Sequence, residues 1–125
     1  MEQLENIRKN ADLVVKVFAE NNNVSLDFDA ESVEWLDGYI ERHRENFDEE
    51  TIKKLTGVFG SFLGECICRN FGGVWTEDEY GFAVKFADGN GAYPFNKIEK
   101  QFRNGSDDSI SSFYQTIPII FNLSQ

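Results

Sequence analysis

Between Asp48 and Gly73 three glycines, Gly57, Gly60 and Gly64, interrupt a stretch whose apolar residues Ile52, Leu55, Phe59, Phe62 and Cys66 otherwise keep helical spacing. An interior helical glycine costs roughly 1 kcal/mol relative to alanine, so three of them forgo about 3 kcal/mol of local stability. A helix that carries them must let something come very close to that side. The visitor is either another part of the chain or a ligand. Phosphate-binding loops do not fit, because their glycines lie in a strand-to-helix turn followed by Lys-Ser/Thr, and here they fall inside a helical pattern. Gly72 and Gly73 end the helix with the left-handed conformation a C-terminal cap needs and lead directly to Trp75. The chain's own backbone is therefore the expected visitor, with a ligand as the competing reading.

Two more helices are predicted upstream. Leu4, Ile7, Ala11, Val14 and Phe18 recur at three- and four-residue steps, which gives an amphipathic helix over 2–20, stopped by the asparagines 21–23. Asp29 is a good N-cap for the second, with Glu31 and Glu34 near its positive end. Val33, Leu36, Ile40 and Phe47 form its stripe, His43 lies on the same stripe, and Trp35 and Tyr39 flank it. Asp48 caps the glycine-bearing helix.

After Gly73 the period changes from helical to alternating. Val74 and Trp75 open a strand, Phe82, Val84 and Phe86 mark a second, Asp88-Gly89 supplies a hairpin turn, and Ala92, Tyr93 and Phe95 mark a third. Pro94, Asn96 and Glu99 read as a capping-box start for a helix that buries Ile98 and Phe102 and ends at Gly105. Lys97, Lys100 and Arg103 lie along it as a basic patch. Ser106, Asp107 and Asp108 open a last helix with Ile110, Phe113, Tyr114 and Ile117 inward, weakened near its end by Pro118. The expected fold class is α+β, a single domain over 1–125. Three N-terminal helices, a three-stranded antiparallel meander and two C-terminal helices make it up, with one layer of helices covering the sheet. With 41% apolar residues and twelve Phe, the chain has material for that core.

Charge narrows the function classes. The net charge is −10, and residues 1–56 carry 14 acids against 7 bases. Such a field repels a phosphate backbone and an anionic membrane surface, so neither nucleic acid nor membrane is an expected partner. A basic protein partner is attracted and steered. No stretch approaches the roughly 18 apolar residues of a membrane span, and the first residues lack a signal-peptide pattern, so a cytoplasmic location is expected. The Asn-x-Ser matches at Asn23, Asn104 and Asn122 are then chance matches.

Little of the usual catalytic chemistry is present. His43 is the single histidine, and no Gly-x-Ser-x-Gly elbow accompanies it. Cys66 and Cys68 point about 200° apart on a helix, too divergent to bond to each other, and zinc spacings are absent. The acids 77–79 lack the glycine and spacing of a calcium loop and read as a solvated turn. Neither a metal nor a cofactor is expected. Glu65 stands out, because it follows Gly64 inside an apolar helix and precedes Arg69 by one turn. One reading is an ion pair with Arg69 at four-residue spacing. The other places Glu65 in a cleft with Trp75 and Tyr93, opposite the helix carrying Lys97 and Lys100.

The segments GSFLGECICRNFGGVW, YPFNKIEKQFRNG and DSISSFY resemble the spaced motifs of a family of small uncharacterised bacterial proteins: Leu-Gly-Glu, Gly-Gly-x-Trp, Tyr-Pro-Phe-x-Lys and Asp-Ser-x-x-x-Phe-Tyr. The resemblance covers residues 57–114. It implies a stand-alone domain of a size sometimes used for immunity or antitoxin proteins, and it transfers no catalytic residue. The leading expectation is a non-enzymatic binding module that engages a basic protein partner, with Trp35 and Tyr39 as aromatic anchors. The alternatives are a small-ligand-binding domain using Glu65, Trp75, Tyr93 and Lys97, and an enzyme with Glu65 as general base.

Overall fold

A helix that is apolar on every side needs neighbours on every side. In the computed structural model, which describes residues 2–121, α1 (Glu2–Asn22), α2 (Ala30–His43) and α3 (Glu49–Phe71) come first. Asn122 of the last Asn-x-Ser match lies outside the described residues. The stripe predicted for α3 is only one of its sides, because Phe59 to Ile67 are buried without a break. This marks a central helix rather than one lying on a surface. α1 packs along it, as does α4 (Pro94–Asn104), while α5 (Ile110–Ile120) packs on α2.

The strands β1 (Val74–Asp78), β2 (Gly81–Lys85) and β3 (Gly91–Ala92) form an antiparallel sheet in the order β1-β2-β3. Its register sets Trp75 beside Val84 and Val84 beside Ala92, so these three share one face. The α+β architecture expected from the sequence is thus the one observed. Among the described residues no helix is long and apolar enough to cross a membrane.

Local signals place the helix ends. Asp29 accepts the backbone N–H of Ser32 at 2.9 Å and Asp48 that of Thr51 at 2.8 Å, each the work of an N-cap. Gly72, at φ +77°, ends α3 in the left-handed region. Two longer links tie the helices together. Arg44, in a 3-10 turn after α2, donates to the carbonyls of Phe102 at 3.1 Å and Arg103 at 2.7 Å, acceptors that the end of α4 leaves free. The fully buried Gln101 accepts from the Ile110 N–H at 2.9 Å and donates to Asp37 and Glu41 at 3.1 Å each. Asp37 in turn accepts the Ser111 N–H at 3.0 Å, which puts an α2 carboxylate at the positive end of α5.

Several boundaries differ from the sequence reading. β1 runs on through Glu77 and Asp78, which the sequence reading places in a solvated turn, because they pair with Phe82 and Gly81 of β2. The third strand stops at Ala92, so Tyr93 and Phe95 are not strand residues: Tyr93 is the N-cap position of α4 and Phe95 lies in its first turn. Pro94 takes the first helical position, where its missing N–H costs nothing, and so the helix begins before the predicted capping box. Ser106, Asp107 and Asp108 form a 3-10 turn instead of opening α5, whose cap is Ser109. Phe47 falls beyond the end of α2, yet its ring still packs on Phe102 with centroids 6.2 Å apart.

Candidate functional site

The glycine side of α3 has two fates. A Cβ at Gly64 would lie 2.0 Å from the Trp75 ring, and one at Gly60 would lie 2.3 Å from the Phe95 ring. The visitors at both positions are aromatic rings, where the sequence reading expects backbone, and backbone comes close at Gly60 alone, the Phe95 Cα lying 3.0 Å from the Cβ position. The correction follows from the early start of α4, which turns Phe95 toward α3 instead of leaving it on a strand. The two rings also pack on each other, with centroids 5.8 Å apart. A Cβ at Gly57, by contrast, would meet nothing within 4 Å.

Beside Gly57 the surface is open. Thr56, Tyr80, Tyr93, Phe95, Asn96 and Glu99 line a concavity of about 500 Å³. A second, of about 540 Å³ and reaching Glu49, Glu50 and Arg103, shares Thr56 and Glu99 with it. Together they form a groove along the seam of α3 and α4. The Thr56 hydroxyl oxygen is the one buried side-chain polar atom without a hydrogen bond among the described residues. Native interiors satisfy nearly all such atoms, and this one is enclosed rather than open to the groove that Thr56 lines.

Tyr93 is fixed in the groove wall from behind. Its hydroxyl donates to Asp78 at 2.7 Å, and Lys85 reaches the same carboxylate oxygen at 3.0 Å. The Tyr93 bond and then the Lys85 ammonium hold the Asp78 carboxyl below its ordinary range. Asp78 in turn raises both Lys85 and Tyr93. Tyr80 stands at the rim, 77% exposed, edge-on to Tyr93 with centroids 6.4 Å apart. Arg103 pairs with Glu49 at 2.6 Å and with Glu99 at 3.5 Å, and so closes the far end of the groove.

The basic patch predicted along α4 does not form as a unit. Residues at three-residue steps fan out by about 60° each around a helix of 3.6 residues per turn. Arg103 is engaged by two carboxylates, and Lys97 lies 4.5 Å over the Phe113 ring of α5, its ammonium pushed down by burial and then by Lys100. Lys100 is exposed.

Glu65, Arg69 and Trp75 do come together. Glu65 is only 7% exposed and accepts the Trp75 indole N–H at 2.8 Å, while Arg69 lies 3.6 Å from its other oxygen. Tyr93 and Lys97 belong to other surfaces, so the cleft read from the sequence has a different membership. Its missed member is Arg8 of α1, which joins Leu4, Glu65, Arg69, Val74 and Trp75 around about 320 Å³. No local signal in the sequence ties residue 8 to residue 65. Only the packing of α1 on α3 does.

Trp35 and Tyr39 stack on each other with centroids 5.7 Å apart, and both meet the edge of Phe18, at 4.7 and 4.8 Å. His43 continues the row, 4.4 Å from Tyr39 and 6.0 Å from Phe47. The anchors expected on the surface are thus half-buried members of a ring ladder. Burial pushes the Cys66 thiol upward and Cys68 up to about 12, which leaves both inert as nucleophiles. Among the described residues no group of three or more His, Cys, Asp or Glu side chains is placed to hold a metal. The chain matches no family model, no curated protein and no solved structure, so the motif resemblance stands on its residues alone.

Proposed function

We propose that the chain is a non-enzymatic binding module that takes a basic segment of a partner protein into the α3–α4 groove. The observation that carries this is the concavity walled by Tyr80, Tyr93 and Phe95, with the Glu99 carboxylate at its side. Aromatic faces attract a cation, Arg above all, by roughly 0.5–1 kcal/mol at exposed sites and more where water is excluded. Glu99 supplies the opposite charge, its contact with Arg103 being a loose one at 3.5 Å that an incoming guanidinium can share. Beyond this end the groove is of mixed charge, Glu49 and Glu50 standing beside Lys53 and Arg103, so a single basic residue of the segment, seated in the aromatic end, carries the recognition. The net charge of −10 speeds encounter with a basic partner. An immunity- or antitoxin-like role would follow from occlusion of the partner's basic surface.

An arginine-containing peptide and its glutamate counterpart, titrated against the labelled protein and followed by amide chemical shifts, test this. The arginine peptide is expected to shift Thr56, Tyr80 and Glu99 together, more weakly as salt rises. Tyr80→Ala and Glu99→Gln are each expected to weaken binding with little change in unfolding free energy. Shifts scattered over the surface, or equal binding by Tyr80→Ala, would overturn the reading.

A further inference from the structure

The Glu65 cleft contains a carboxylate that its own neighbours leave half satisfied. One oxygen is held by the Trp75 indole at 2.8 Å. The nearest cation to the other is Arg69 at 3.6 Å, well beyond the 2.7–2.9 Å of a charge-assisted hydrogen bond. Arg69 is drawn aside by Phe28, whose ring centre lies 3.7 Å from the guanidinium carbon. Glu65 is only 7% exposed, and its second oxygen, which no hydrogen bond within the described residues occupies, is the part of the carboxylate that stays open to the cleft. Across the cleft Arg8 takes part in none of the ion pairs among the described residues, and Arg69 is half exposed. The remaining wall is apolar: Leu4, Val74 and the Trp75 ring.

One ligand chemistry satisfies all of these groups at once. A simple anion suits the two guanidiniums but meets Glu65, and a simple cation suits Glu65 but meets the guanidiniums. A zwitterion with an apolar tail offends neither. We propose that this cleft binds a free apolar α-amino acid, its ammonium on the unfilled Glu65 oxygen, its carboxylate on Arg8 and Arg69, and its side chain against Leu4, Val74 and Trp75. The volume of about 320 Å³ lies at the small end of ligand pockets, which suits a ligand of that size. The site is separate from the α3–α4 groove and does not depend on it.

Trp75 is the reporter. In a Trp35→Phe background it is the sole indole, so its emission and its N–H proton resonance read the cleft directly. L-leucine, L-methionine and L-phenylalanine are titrated to millimolar concentration, each beside its decarboxylated amine and its deaminated acid. At least one amino acid is expected to give a saturable change in both signals. Both of its analogues, and the Arg8→Ala variant, are expected to bind at least about tenfold more weakly. Arg8 is exposed, so its removal leaves the fold intact and the comparison readable. Glu65→Gln should lose the ammonium-dependent part alone, so that its affinity for the amino acid falls to that of the deaminated acid. The proposal is overturned if none of the three amino acids saturates, if either analogue binds equally well, or if Arg8→Ala binds like the parent.

Discussion

The Gly60–Gly64 end and the Gly57 end of α3 share a helix, a residue type and a spacing, yet one is filled and the other is open. At the first, Phe95 and Trp75 occupy the volume that side chains would need. At the second nothing stands within 4 Å, and the adjoining Thr56 faces a groove. A row of small residues therefore records how closely something can approach, and it does not say what approaches. The neighbouring element decides. Pro94 and Phe95 begin α4 beside Gly64 and Gly60, while farther along the seam the side chains of Asn96 and Glu99 border open space.

The sharpest way to break this contrast is to add one methyl group at each end. Gly64→Ala drives a Cβ to within 2.0 Å of a Trp75 ring that the Glu65 bond holds in place. Overpacking of this kind costs about 1–3 kcal/mol, and the gain in helix propensity returns roughly 1 of it, so a net loss of up to about 2 kcal/mol is expected in urea unfolding. The Trp75 indole N–H resonance should shift with it. Gly60→Ala is expected to cost a comparable amount, because its Cβ would meet the Phe95 ring at 2.3 Å and also the Phe95 Cα at 3.0 Å, which no rotamer change moves.

At the open end the sign reverses. Gly57→Ala meets no atom and gains the propensity difference alone, so it is expected to stabilise by about 0.5–1 kcal/mol in the same measurement. A loss of stability there would show that the groove closes in solution.

The smallest effect concerns the groove wall. Asp78 is depressed in the fold by Tyr93 and Lys85. A depressed carboxyl contributes fully above its unfolded value, about 3.9, and its contribution fades as pH falls through the lower folded value. Tyr93 should therefore stay pinned at neutral pH and be released only on acidification below about 4. Its ring resonances, followed by NMR, should move there without global unfolding, and the Gly64 end should be unaffected. Movement of Tyr93 near pH 7 would show that the latch is not what holds it.

Much of the architecture was legible because its signals are local. Asp29, Asp48 and Gly72 cap helices through bonds within four residues, and the change of period after Gly73 reports a change of element within a few more. Where local cues competed, the stronger steric one won. Pro94 at a first helical position prevailed over the alternation that placed Tyr93 and Phe95 on a strand. Of the candidate site, the Glu65–Arg69 pair was legible because it spans one helical turn. Arg8 beside Glu65, Arg103 with Glu49, and Tyr93 with Asp78 were not.

The sequence by itself determined the class of fold, the N-caps of α2 and α3 and the C-cap of α3, the charge and the fact that one side of α3 had to be approached closely. Propensity, periodicity and net charge all act along the chain, so they can be read from it. The tertiary structure decided what approaches, which acids meet which bases, and which end of the glycine row stays open. Those outcomes turn on side-chain contacts between residues tens of positions apart, for which no local pattern exists.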